Sequence, residues 1–295
     1  MARDETRSPP PGCPMHLPAD GEPTAYSATD LSYNDYLKVP ELLDLQHPQS
    51  EPKHHDEMLF IIIHQAYELW FKLVIHEITD ALAFLGEGEV LRAHHRLKRV
   101  VEIFKLLVPQ IHILETMTPV DFLQFRDRLK PASGFQSLQF REVEFMAGLK
   151  DEKYLKHFAN RPEVVQALRE RLSGPDLRSS YYTALAKLGL AMPADAALRE
   201  DAKEPGIAHA IMQAILPIYQ DPHHNLPLYL LSEALVEFDE YLSLWREHHV
   251  RVVERIIGFK TGTGGSSGSE YLRSTTSKKC FPLIWETRTH LEVKV

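Results

Sequence analysis

Cysteine is nearly missing from this chain: two occur in 295 residues, Cys13 and Cys280, in neither a CxxC nor a CxxCH arrangement. That excludes a disulfide framework, argues against a zinc ribbon, and leaves no attachment site for a covalent c-type haem. No uninterrupted apolar run reaches the ~20 residues that span a bilayer. The N-terminus is polar and proline-rich (Pro9, Pro10, Pro11), without the apolar core of a signal peptide. No strand alternation and no internal repeat stand out. Basic residues are outnumbered, giving a formal charge of −8, which argues against nucleic acid or anionic membrane as the main partner. It leaves room for an anionic small ligand held by one arginine. With 44% hydrophobic and 25% charged residues, the expectation is a soluble, cytoplasmic globular protein.

What is present is helical periodicity. Residues 1–28, rich in Pro, Asp, Glu and Ser, are expected to be disordered. The arm LSYNDYLKVPELLDLQ follows, aromatic enough to pack on something but interrupted by Pro40. A long helix is expected from Glu57 to about Leu85 with Gly86 as its stop, then another from Glu89 to about Thr116. Thr118-Pro119 reads as a cap and first turn. Further helices are expected over Gln136 to Leu149, Leu226 to Ile257, Glu270 to Lys279 and Pro282 to Leu291. The fold class is all-α, a helical bundle with two long helices, and residues 29–295 read as one domain in which 150–220 forms a small helical subdomain or insertion.

Three features carry chemistry. Among sixteen histidines, His64 and His249 lie on apolar helix stripes, His64 with Phe60 and Phe71, His249 with Phe238, Leu242, Trp245 and Val253. Neighbouring His248 faces a mixed set, and His76, His94 and His95 read as solvent-facing. Each apolar-stripe histidine is either a core residue satisfied by a hydrogen bond or one of two imidazoles flanking a flat apolar cofactor. The loop GFKTGTGGSSG (258–268) holds five of the chain's fourteen glycines. It lacks the GK[ST] of a phosphate cradle and is preceded by a helix, leaving a plain linker or a substrate-covering loop with Thr263 and Ser266 as hydroxyl donors. Arg126 shares a stripe with Phe122; it either solvates a helix face or presents a planar fork to a carboxylate beside an aromatic wall.

Five collinear blocks together resemble the tryptophan 2,3-dioxygenase family: SYNDYL (32–37), HDEMLFIIIHQAYELWFK (55–72), FRDRLKPASGFQSLQFR (125–141), HHVRVVERIIGFKTGTGGSSG (248–268) and FPLIWETRT (281–289). The resemblance implies a haem-dependent dioxygenase cleaving the indole C2–C3 bond of L-tryptophan with O2. The product is N-formyl-L-kynurenine, and the reaction opens tryptophan catabolism by the kynurenine pathway. It implies a non-covalent haem b, ferrous when active, with His249 as axial ligand and His64 as the distal, catalytic histidine that also meets the indole N–H. Arg126 falls on the carboxylate-binding arginine and Thr263 on the threonine at the substrate's ammonium and carboxylate end. Phe60, Tyr33, Tyr36 and Leu37 match walls of the indole pocket. Phe122 stands where some bacterial members carry tyrosine, which removes a hydroxyl and keeps the apolar wall. The family further implies a homotetramer whose N-terminal arm enters a neighbouring site.

Three other readings stay open at this level. A haem enzyme for another indole would keep the ligands and alter the pocket. A haem or gas sensor would need neither Arg126 nor the loop. A non-haem metal protein would want repeated ExxH spacing, and the only instance, Glu51 to His54, lies in a proline-containing loop.

Overall fold

The computed structural model describes residues 31–194, 196, 205–264 and 267–292. The expectation of disorder over residues 1–28 lies outside them, as does Ser266. The described residues form twelve α-helices and four short 3-10 turns, with no strand among them, so the fold is all-α. The chain divides into two units, Met1–Leu45 and Gln46–Val295.

In the first unit, Ser32 caps α1 (Tyr33–Leu37) by accepting a hydrogen bond from Asp35 N–H at 3.1 Å. Lys38 then takes a left-handed conformation (φ 54°) and α2 (Val39–Leu43) starts with Pro40 in its first turn, where a missing N–H costs nothing. Neither helix buries a residue, and Tyr33 and Tyr36 stay 74% and 71% exposed.

The second unit is built on three long helices. α3 (His55–Glu87) is started by His54, whose imidazole accepts from Asp56 N–H, and by the carboxylate of Glu57. That carboxylate is 1% exposed and accepts from Gln49 N–H, Ser50 N–H and Ser50 Oγ at 2.6–3.0 Å, folding the preceding strap onto the helix. Gly86 does not stop α3. The helix runs through it to Gly88, whose φ of 83° is the left-handed C-cap a β-carbon resists. α4 (Val90–Leu114) begins at once and packs along both α3 and α10 (Leu226–Ile257). It has the faces for both, since Leu97, Val100, Val101, Phe104 and Leu107 are fully buried. Glu77 with Arg99 at 2.6 Å ties α3 to α4, and Glu237 with Lys98 and Lys105 at 2.7 and 2.6 Å ties α4 to α10.

α3 is by length and composition long and apolar enough to cross a bilayer, which the sequence reading did not anticipate. Its apolar side meets α4, α6 (Leu138–Met146) and α8 (Leu177–Lys187), with Val74, Ile78, Ala81 and Leu85 buried. Here that length serves as the spine of a bundle.

The shorter helices close the ends. α5 (Pro119–Arg126) has Thr118 as its cap. α6 (Leu138–Met146) is shorter than the Gln136–Leu149 helix expected, because Gly134–Gln136 forms a 3-10 turn and Gly148 at φ 106° ends it. α7 (Pro162–Ser173) packs with Phe145, Tyr154, Phe158, Val164 and Leu168 in a small second core. α8 (Leu177–Lys187) and α9 (Pro205–Gln220) instead give Tyr181, Leu185, Ile211 and Ile215 to the main core. Residues 150–220 therefore divide between two cores. α11 (Ser269–Thr276) and α12 (Pro282–Thr287) complete the unit. Asp239 of α10 anchors the tail, accepting from Cys280 N–H, Phe281 N–H and Trp285 Nε1 at 2.9–3.2 Å.

Candidate active site

The first half of α3, the last turns of α4 and α10, and helices α5 and α6 converge on a cavity of about 290 Å3. Its wall is aromatic because residues one or two helical turns apart project to the same side. Tyr67, Phe71, Phe140 and Trp245 form one ring cluster with centroids 4.9–6.3 Å apart. Phe60, Phe122 and Phe125 form another at 5.3–5.8 Å.

Two imidazoles lie on this wall. His64 sits one turn after Phe60, with Nδ1 2.7 Å from the Phe60 carbonyl oxygen. A carbonyl only accepts, so Nδ1 carries the proton and Nε2 keeps a lone pair. Burial lowers the ring's pKa, against smaller raising contributions from the Phe60 hydrogen bond and the charge of Glu68. His64 retains accessible surface, and that surface is cavity lining. His249 packs on Trp245 at 5.1 Å, and no described residue hydrogen-bonds its ring. Burial, then repulsion from His64, lowers its pKa to about 4, so it is a neutral imidazole with an available lone pair. Both rings line the same cavity. His248 instead packs edge-on against His112 at 5.1 Å and does not line the cavity.

Arg126 ends α5 on the cavity wall, four residues after Phe122. One terminal nitrogen donates to the Thr261 carbonyl, while the buried Nε has no partner among the described residues. Thr263 also lines the cavity and donates Oγ1–H to the Ala132 carbonyl at 2.7 Å. The glycine-rich loop leaves α10 through Gly258 (φ 60°, ψ −134°), a conformation open mainly to glycine. Phe60, His64, Phe122, Arg126, Thr263 and His249 thus come together at one cavity. Tyr33, Tyr36 and Leu37 lie exposed on α1, in the other unit.

A buried ionic group at the cavity wall escaped the sequence reading. Glu144 lies between Arg246, at 2.7 Å, and Arg141, each under a tenth exposed. Arg141 Nε is buried without a partner among the described residues. The spacing of Arg141 and Glu144 on α6 was a signal available in the sequence. Their partner 102 residues away was not. Ser133 and Tyr271, also on the wall, have no sequence signature.

The family model described as tryptophan 2,3-dioxygenase matches residues 19–196 and 195–291. The chain belongs to this family. A tryptophan 2,3-dioxygenase of Nocardioides sp. is 46% identical over 266 residues, covering 88% of this chain and 95% of its own length. The proteins of that name from Caulobacter vibrioides and Herpetosiphon aurantiacus are 44% and 43% identical, covering 90% and 88% of this chain and 100% and 98% of their own lengths. Tryptophan 2,3-dioxygenases are haem-dependent oxidoreductases, and the neutral, unpartnered His249 on an aromatic wall is a donor suited to haem iron.

Proposed function

We propose that this chain cleaves the indole C2–C3 bond of L-tryptophan with O2 to give N-formyl-L-kynurenine, the entry to the kynurenine pathway. The observation that carries the reading is a pair of imidazoles, His64 and His249, lining one apolar cavity with Arg126 on its wall.

His249 would hold the haem iron. The lack of a CxxCH leaves no covalent attachment site, so the cofactor would be held non-covalently, as haem b, ferrous in the active enzyme. The Arg141–Glu144–Arg246 group, two cations facing one anion on the cavity lining, would hold carboxylates of the haem. When bound, haem supplies the activation of O2 for insertion across C2–C3.

The remaining work is orientation. Arg126 and Thr263 bind the amino-acid end, and Phe60 and Phe122, packed on each other, wall the indole pocket. His64, protonated at Nδ1 and open at Nε2, accepts the indole N–H and fixes the ring's rotation. It is not asked to remove that proton, which is far too weakly acidic for a ring whose basicity burial has already lowered. The 258–268 loop keeps water from the site. The working protein is a cytoplasmic homotetramer in which Tyr33, Tyr36 and Leu37 wall a neighbouring subunit's pocket; the exposure of these three on one short helix supports that role.

The test is an absorbance spectrum of the reduced protein, followed by aerobic addition of L-tryptophan. A Soret band with N-formylkynurenine formation is the expected result. A Soret band without product would redirect the reading to another indole or to gas sensing, and no haem uptake after reconstitution would overturn it.

A further inference from the structure

The loop after α10 meets the body of the protein at a place where no atom can be added. A β-carbon on Gly264 would lie 2.6 Å from Ser133 Cβ and 2.9 Å from its Oγ. Carbon atoms do not approach so closely, so one side must move. Ser133 has little freedom to do so. It is the N-cap of the Gly134–Gln136 turn, its Oγ accepting from Phe135 N–H at 3.4 Å while Gln136 Oε1 accepts from Ser133 N–H at 3.2 Å. Its Cβ is one bond from that fixed backbone. Gly264 is not held in the left-handed region, so glycine is required there for space and not for conformation.

The contact sits among three others. Thr263, the preceding residue, donates to the Ala132 carbonyl at 2.7 Å, and Arg126 donates to the Thr261 carbonyl. At the loop base, Gly268 (φ 65°) leaves only 2.6 Å between a β-carbon and the Lys260 carbonyl oxygen. The loop is therefore seated on residues 132–133 by one zero-clearance contact, with a hydrogen bond from the residue immediately beside it.

We infer that Ser133 and Gly264 are positioning residues: their contact is the seat that sets Thr263 on the cavity wall and keeps the Thr261 carbonyl within reach of Arg126. The inference rests on the proposed role of Thr263 and Arg126 at the substrate's amino-acid end. Gly264→Ala lifts the loop from its seat. Ser133→Gly clears the space again and leaves a glycine N-cap, which serves nearly as well as serine.

The experiment uses full-length holoenzyme in four forms: unaltered, Gly264→Ala, Ser133→Gly, and both together. Two quantities are read: the rate of tryptic cleavage after Lys260, identified by fragment mass, and KM and kcat for L-tryptophan. Gly264→Ala is expected to speed cleavage after Lys260 and to raise KM about tenfold, the loss of one charge-assisted hydrogen bond, with the Soret band unchanged. The double variant is expected to return to the cleavage rate and KM of Ser133→Gly alone, a rescue that general destabilisation would not give. Wild-type cleavage and KM in Gly264→Ala, or failure of the double variant to recover either, would overturn the seat. Should the unaltered protein not turn over tryptophan, the functional reading fails, while the cleavage rates still decide the seat.

Discussion

Arg126 and Thr263 spend their hydrogen-bonding capacity on main-chain carbonyls, Thr261 and Ala132, at the place where a substrate carboxylate would arrive. One terminal nitrogen is taken by the loop, and under the proposed function the part of the guanidinium lining the cavity would meet the ligand. A lysine there preserves charge and loses the planar fork. Arg126→Lys is expected to raise KM for L-tryptophan roughly tenfold, read by steady-state kinetics. Loss of the Soret band in this variant would show that Arg126 supports the haem instead. His64 makes a second prediction. Burial lowers its pKa from 6.5, so as pH falls the ring stays neutral beyond the point where a free imidazole takes up a proton. Its Nε2 remains an acceptor, and kcat/KM should be level from about pH 8 to 6.5 and fall only below that. Histidine is replaced by alanine in the control: His64→Ala should have lower activity and no such acid limb. The same sign governs folding. Because His249 titrates at about 4 in the folded chain, haem-free protein should lose stability as pH falls from about 6.5 toward 4.

At the scale of the element, helix ends were harder to place than helix interiors. Gly86 and Gly88 are both glycines after a long apolar stripe, and the sequence offered the first as the stop. Only Gly88 has a positive φ, and a β-carbon at Gly86 would meet nothing within 4 Å. The two positions should therefore respond oppositely. Gly88→Ala is expected to destabilise by about 1 kcal/mol through left-handed strain. Gly86→Ala is expected to be neutral or stabilising by up to about 1 kcal/mol, since it adds helix propensity without a clash. Chemical denaturation of both variants checks this, and equal effects would contradict the C-cap. The α6 boundary has the same origin: a 3-10 turn and an α-helix share an apolar pattern at their junction, and only the main-chain hydrogen bonds separate Gly134–Gln136 from Leu138–Met146.

At the scale of the whole molecule, the arm is the part whose sequence exceeds its visible contacts. Ser32, Asp35 and Pro40 give α1 and α2 sound caps, yet Tyr33, Tyr36 and Leu43 stay more than two-thirds exposed. Rings left in water contribute little to a single chain's stability but are strong anchors in an interface. Replacing Tyr33 and Tyr36 together by alanine should leave helical content and unfolding of the dissociated chain unchanged. If they wall a neighbour's pocket, that variant should show a smaller mass in light scattering or a KM for tryptophan raised about tenfold or more. Unchanged mass and KM would remove the arm from the site.

The sequence by itself determined the all-α class, the registers of α3, α4 and α10, and the choice of His249 over His248. Those follow from periodicity, which is local: a stripe of apolar residues names the buried face before anything is packed against it. Arg126 and Thr263 were candidates on the residues alone and were singled out by the family resemblance, because an arginine near an aromatic is common on helix surfaces. Tertiary structure alone decided which charges are buried together. Arg246 reaches Glu144 from another helix, and Gly264 meets Ser133, which lies 131 positions earlier in the chain. Such pairings depend on how helices are laid against one another, and no repeat along the chain encodes a distance between two of its helices.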